Sequence, residues 1–135
     1  MSFKRGTKDV NYISNRLISN QIASEKIFLT PVDPWVAVSG QDLPFIRSDG
    51  TNVRHMGGIV RVPSIVGAGS KMLNWPTGNY KPLDPGLQIV LQDIGGETLI
   101  AIALRFLEDG IYTNSTIQAN YKFNFLGVIY LSEVG

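Results

Sequence analysis

His55 is the only histidine in this chain of 135 residues, and there is no cysteine. Any Ser-His-Asp arrangement would therefore have to use His55. That residue falls in a β-patterned stretch beside Arg54 and near Gly57, where a packed or exposed strand histidine is the plain reading. Without cysteine, thiol catalysis, disulfides and Cys-based zinc sites are excluded. The acids are scattered, and no Asp-x-Asp pattern supplies clustered metal ligands. Asp49 and Asp109 each precede a glycine and Asp33 and Asp84 each precede a proline, so turn chemistry accounts for all four. Asp42, Glu97 and Glu108 are left as acids that a fold would have to bring together for glycoside hydrolysis. The glycines occur in pairs at turns rather than as a phosphate-cradling fingerprint. The expectation is a protein that is not an enzyme and needs no cofactor.

Binding chemistry has better candidates. Trp75, Tyr80 and Tyr112 lie near turn-rich segments, with Asn79, Lys81 and Asn114 beside them. Flat aromatic faces next to hydrogen-bonding side chains suit sugar or protein contact. These six residues are the candidate ligand or partner contacts. The competing reading for Trp75, as for Trp35, is closure of one end of the core.

The elements that must position these residues are β in grammar. Residues 26–30, 35–38 and 45–47 read as short strands, and Ser48-Asp49-Gly50-Thr51 is a hairpin-type turn. Residues 52–62 read as one longer strand in which Gly57-Gly58 marks a bulge or the close approach of another backbone. Residues 71–75 follow, then a long Pro- and Gly-rich turn region over 76–86. In residues 87–92 Leu87, Ile89 and Leu91 point one way. Residues 97–107 carry Ile100, Ile102, Leu104 and Phe106 on one face and Leu99, Ala101 and Ala103 on the other, which predicts a central strand covered on both sides. Residues 111–117 and 121–132 complete the set. In the last of these Tyr121, Phe123, Phe125, Ile129 and Leu131 share a face.

The pattern predicts an all-β antiparallel β-sandwich of about eight or nine short strands over residues 26–135. Residues 1–25 are a short helix or an arm, with Val10, Ile13 and Leu17 at helical spacing among poor helix formers. Composition agrees with a single globular domain: 44% of residues are apolar and 17% charged. A chain of this length can bury roughly two thirds of its unfolded surface. The net charge of +1 lacks the basic excess that phosphate neutralisation demands, so no nucleic-acid partner is expected. No apolar run reaches the ~20 residues of a membrane helix, and none follows Met1 as a signal core. No membrane insertion and synthesis in a cytoplasm are the expectations.

The order of motifs over residues 45–131 resembles tail-fibre, baseplate and receptor-binding domains of tailed bacteriophages. The motifs are Arg47-Ser48-Asp49-Gly50-Thr51-Asn52-Val53, then Gly57-Gly58-Ile59-Val60. Next comes Leu73-Asn74-Trp75-Pro76-Thr77-Gly78-Asn79-Tyr80-Lys81-Pro82. Glu108-Asp109-Gly110-Ile111 and an aromatic final segment from Phe125 to Leu131 follow. Asn79 and Trp75 depart from the usual loop pattern. In size and compact β build the chain is also similar to small tail-module proteins of siphophages infecting Gram-positive bacteria, and the resemblance implies a structural or receptor-binding-protein-like module acting by protein–protein or protein–glycan contact. It implies other tail or baseplate proteins as partners and host cell-wall glycan as a second partner class. The implied location is the virion tail, or the host cytoplasm during assembly. Monomer and trimer both stay open. The alternative reading is a stand-alone carbohydrate-binding protein or glycan-active enzyme.

Overall fold

The structure, a computed structural model, describes residues 25–48 and 50–133. Twelve strands are present among them: β1 (Ile27–Phe28), β2 (Thr30–Pro31), β3 (Val36–Ala37), β4 (Phe45–Ser48), β5 (Val53–Gly57), β6 (Ile59–Arg61), β7 (Lys71–Asn74), β8 (Gly86–Asp93), β9 (Leu99–Leu107), β10 (Gly110–Thr113), β11 (Lys122–Asn124) and β12 (Ile129–Leu131). The expected helix or arm over 1–25 falls almost wholly outside the described residues, as does Asp49.

The strands form two antiparallel sheets. The smaller runs β1-β4-β5-β12. The larger runs β2-β7-β10-β9-β8-β11-β6-β3, and its two edge strands are neighbours in sequence, so it curls almost closed. Near-closure leaves little free edge for unwanted strand pairing. One core serves both sheets. Ile46, Met56 and Tyr130 from the smaller sheet meet Val60, Leu104, Phe106 and Phe123 from the larger. Tyr130 joins them physically, with its ring 5.9 Å from Phe106 and 5.4 Å from Trp75. Each fully buried Phe, Leu, Ile or Val contributes about 1.5–3 kcal/mol relative to exposure.

The all-β expectation holds, and the higher strand number has a local cause. The expected strand over 52–62 breaks at Gly58, whose φ of +92° lets the chain leave the smaller sheet as β5 and enter the larger as β6. A Cβ at Gly58 would collide with the Leu43 carbonyl, so the expected close backbone approach is present. The Asp109-Gly110 hairpin also forms, pairing Gly110 with Leu107 across Glu108 and Asp109.

Two face assignments are corrected. The segment 121–132 is not one strand. Phe125 and Val128 close a turn through Gly127 (φ +87°), and pairing resumes in the other sheet as β12. The turn reverses the alternation, so Tyr130 is buried while Ile129 and Leu131 are exposed. Strand β9 is central in its sheet, between β8 and β10, but it is not covered on both sides. Leu99 is 59% exposed, and Ala101 also faces solvent. Its inner face runs Leu104 and Phe106, both buried, to Ile100 at the open end, 41% exposed.

Candidate contact surface

The loop between β7 and β8 carries four of the six candidate residues. Trp75 turns inward. Its Nε1–H donates to the Leu107 carbonyl at 2.7 Å, and its ring lies edge-on to Phe106 at 5.6 Å. It packs, partly buried, against the core, in line with the competing reading. Tyr80 accepts the Tyr130 hydroxyl proton on its main-chain oxygen at 2.6 Å. Lys81 is exposed.

Arg54, which is 3% exposed, holds this loop down. Its Nη2 donates to the main-chain oxygens of Asn79 (2.9 Å) and Glu133 (2.8 Å), its Nη1 to Ser48 Oγ (2.6 Å), and its Nε to Ser132 Oγ. The guanidinium also lies 5.0 Å from the centre of the Tyr80 ring. All four acceptors are neutral oxygens, so the charge is compensated by oriented dipoles and a π face. Arg54 sits on the core-facing side of β5, alternating with exposed His55. Sequence reading passed over it because a buried arginine and an exposed one look alike in a strand. The signal was parity, since Arg54 shares its face with Met56. Burial pushes the Tyr130 hydroxyl well above the ordinary tyrosine value, with the nearby Arg54 charge acting the other way.

Tyr112 and Asn114 belong to a different place. Tyr112 pairs with Arg105 and Lys71 in the larger sheet, whereas Trp75 packs on Phe106, the next residue along β9 and on the opposite face. The Tyr112 hydroxyl donates to Asp109 Oδ2 at 2.6 Å, and Lys71 Nζ stands 3.4 Å from the same oxygen. The hydrogen bond from Tyr112 is the main cause of a lowered Asp109 carboxyl, with Lys71 assisting; the same bond raises the Tyr112 hydroxyl. Asn114 Oδ1 accepts from Arg105 Nε at 2.9 Å. The six candidates therefore form two groups, not one cleft.

Between the polar outer residues of β10 and those of β11 lies an aliphatic surface on β8 and β9. Pairing of β8 with β9 sets Leu87 beside Arg105, Ile89 beside Ala103, Leu91 beside Ala101, and Asp93 beside Leu99. Leu87 (58%), Ile89 (62%), Leu91 (41%) and Leu99 (59%) are exposed. The face shared by Leu87, Ile89 and Leu91 is the outer one, and Leu99 and Ala101, expected under cover, lie on it. The inner side of β8 carries Gln88, Val90 and Gln92, and Gln92 is only 2% exposed. This strand thus buries its polar face in part and exposes its aliphatic one, the reverse of the usual arrangement. Arg61 and Lys122 flank the stripe beyond Asp93, and Tyr112 and Lys71 flank it beyond Arg105.

The residues considered for catalysis are dispersed. His55 is exposed on the smaller sheet between Arg47 and Ile129. Glu97 and Glu108 lie beyond opposite ends of β9, and the strand between them spans about 26 Å, far more than the ~5–10 Å of a glycosidase pair. Asp42 pairs with Lys26 at 2.6 Å. Among the described residues no three His, Asp or Glu side chains gather to hold a metal ion. Nor does any helix there have the length and apolarity to cross a membrane. A surface hollow of about 300 Å³ is lined by Pro82, Leu83, Asp84, Gln88 and β12, with Asp84 the carboxylate among them.

Comparison with protein-family models, with curated proteins and with solved structures finds no match to this chain.

Proposed function

We propose that this chain is a non-catalytic contact module, structural or receptor-binding-protein-like, of a phage tail or baseplate. The observation that carries the contact reading is the aliphatic stripe of Leu87, Ile89, Leu91 and Leu99 on the outer face of β8 and β9. Four large aliphatic side chains side by side, ringed by charged and polar residues, have the composition of a protein interface with an apolar centre and a polar rim. The tail or baseplate assignment rests on the motif order over residues 45–131. Partners are other tail or baseplate proteins, reached in the virion or in the host cytoplasm during assembly.

A glycan-contact reading draws on a separate place. Tyr112, half-buried, stands among Asp109, Lys71, Arg105 and Asn114, a ring edged by charged and hydrogen-bonding groups of the kind that holds a sugar. The loop of Asn79–Lys81 supports that reading less, since its main-chain oxygens and the Tyr80 ring are engaged by Arg54 and Tyr130.

Pull-down on isolated phage tails and, in parallel, on intact Gram-positive cells tests both. Capture by tails that is lost in Ile89→Lys is the expected result. Capture by cells that free sugar competes away and Tyr112→Ala abolishes would replace it with the glycan reading. Capture by neither would overturn the proposal.

A further inference from the structure

We infer that the unpaired edge of β9 over Leu99–Ala103 docks an extended segment of a partner protein, which joins the larger sheet as a further antiparallel strand. The inference concerns the main chain at the strand's edge and does not draw on the aliphatic stripe.

Strand β9 runs Leu99–Leu107, but β10 pairs with it only from Leu107 to Leu104. Past that point the chain turns its hydrogen bonds away from β9. The main chain of Thr113 bonds Gly69 and Ser70, and that of Ile117 bonds Val66. On the other side β8 stays paired with β9 as far as Asp93 and Leu99. The hairpin therefore runs on beyond the end of β10 with one flank unpaired.

The ladder decides which groups face that flank. Ile94 N–H donates to the Thr98 oxygen at 3.1 Å, one step past the Asp93–Leu99 pair. Hydrogen-bonded and non-bonded pairs alternate in an antiparallel ladder, so Gln92 with Ile100 and Val90 with Ile102 are the bonded pairs of β8 and β9. The N–H and C=O of Leu99 and Ala101 point the other way. Among the described residues no group bonds them there. Leu99 is 59% exposed and Ile100 41%, and Ala101 is exposed too, so the flank is accessible.

The free groups specify their occupant. Two donor–acceptor pairs about 7 Å apart on one line match alternate residues of another extended strand. A helix spends its main-chain groups internally and cannot supply them. An antiparallel strand exchanges both bonds with Ala101 through a single residue, in the line that β10 leaves at Thr113. Side chains set the partner's pattern. On the inner side its residues meet Ile100 and Ile102, which favours apolar groups. On the outer side they lie beside Leu99, Ala101 and Ala103, where the alanines leave room for larger or polar ones. The segment is therefore one with apolar residues at alternate positions.

The test is amide NMR on the full chain with a short acetylated and amidated peptide of alternating valine and threonine, ended by lysines for solubility. In the free chain the Leu99 and Ala101 amides are expected to exchange with solvent far faster than those of Ile100 and Ile102. Protection of Leu99 and Ala101 in the free chain overturns the inference. Protection lost on dilution would give the edge to a second copy, and protection kept on dilution to another part of this chain. The peptide is expected to bind with a dissociation constant on the order of 1 mM and to slow exchange at both amides. Its threonines, opposite Leu99 and Ala101, turn their N–H groups to β9, and its valines turn theirs away. N-methylation of the threonines is expected to weaken binding by about tenfold or more, and N-methylation of the valines by no more than about twofold. Equal effects overturn the inference, as does absence of binding at about 10 mM peptide. Ala101→Pro removes one free N–H, a change that edge strands tolerate, and is expected to abolish binding with the melting temperature little changed. A folded Ala101→Pro that binds like the wild type overturns the inference; where that variant fails to fold, the methylated peptides decide. Ile89→Lys is expected to bind the peptide as the wild type does while losing tail capture, so the edge and the stripe fail separately. Peptide binding that Ile89→Lys abolishes would move the peptide to the stripe and overturn the edge.

Discussion

Replacing Arg54 with alanine removes a guanidinium that is 3% exposed and that ties three separate segments together: the turn at Ser48, the loop at Asn79, and the C-terminal stretch at Ser132 and Glu133. The acceptors stay behind. Ser132 Oγ lies 3.1 Å from the Asn79 oxygen and 3.2 Å from that of Glu133, but its single proton can serve only one of them. At least one carbonyl is therefore left unmet, at ~1–3 kcal/mol. Loss of the cation over the Tyr80 ring adds about 0.5–2 kcal/mol. Release of the guanidinium's own desolvation cost offsets part of this. The net expectation is a loss of about 3 kcal/mol, which for a chain of this size lowers the melting temperature by roughly 10–15 °C. Arg54→Lys keeps the charge but not the fork, and one ammonium cannot reach all four oxygens, so about half the loss is expected. Urea and thermal unfolding measure both, and chymotryptic cleavage after Tyr80 should accelerate in the alanine variant as the loop is released. An alanine variant within about 0.5 kcal/mol of wild type, the scatter of ordinary surface changes, would refute the clasp.

The remaining expectations concern the backbone, the core and pH. Gly58→Ala forces an L-residue to φ +92° and drives a Cβ into the Leu43 carbonyl, so a loss of more than about 2 kcal/mol is expected in urea unfolding; Gly67→Ala, with open space around it, should stay within about 0.5 kcal/mol. Trp75→Phe removes the donor to the Leu107 carbonyl and should cost about 1–2 kcal/mol, and a fully stable variant would show that the indole does not close the core. Tyr130 gives an alkaline limit. Its folded hydroxyl stays protonated above the ordinary value of 10.0, where the unfolded chain has already lost that proton. The unfolded state then binds fewer protons, so stability is complete below about pH 10 and falls as pH rises beyond it. Melting temperatures across that range should decline less steeply in Tyr130→Phe, and identical slopes would show that Tyr130 does not set them. His55→Ala should leave tail capture and stability unchanged; a loss of either would return attention to that residue.

Turn chemistry and strand grammar were legible in the residues themselves. Asp109-Gly110 and Gly57-Gly58 mark a hairpin and a break in pairing because such dipeptides favour turns and bulges, although the atoms that exclude a Cβ at Gly110 and Gly58 belong to Leu73 and Leu43, far off in the chain. The all-β class follows from alternation and turn spacing for the same local reason. Which side of a strand faces inward is not local. Leu87, Ile89 and Leu91 share a face by periodicity alone, but burial of that face depends on what the larger sheet curls around. The curl encloses Val90 and Gln92 and turns the leucines outward. Likewise the Gly127 turn moves β12 to the other sheet and reverses its alternation, so Tyr130 and not Ile129 reaches Trp75 and Phe106. Arg54 is the same case in polar form. Its four acceptors come from residues 48, 79, 132 and 133, and only the fold brings them to one guanidinium. Amino-acid order determined that this chain turns and pairs where it does, since backbone sterics act between neighbours. Tertiary structure alone decided which side chains are core, clasp or surface, since that depends on contacts between residues far apart in the chain.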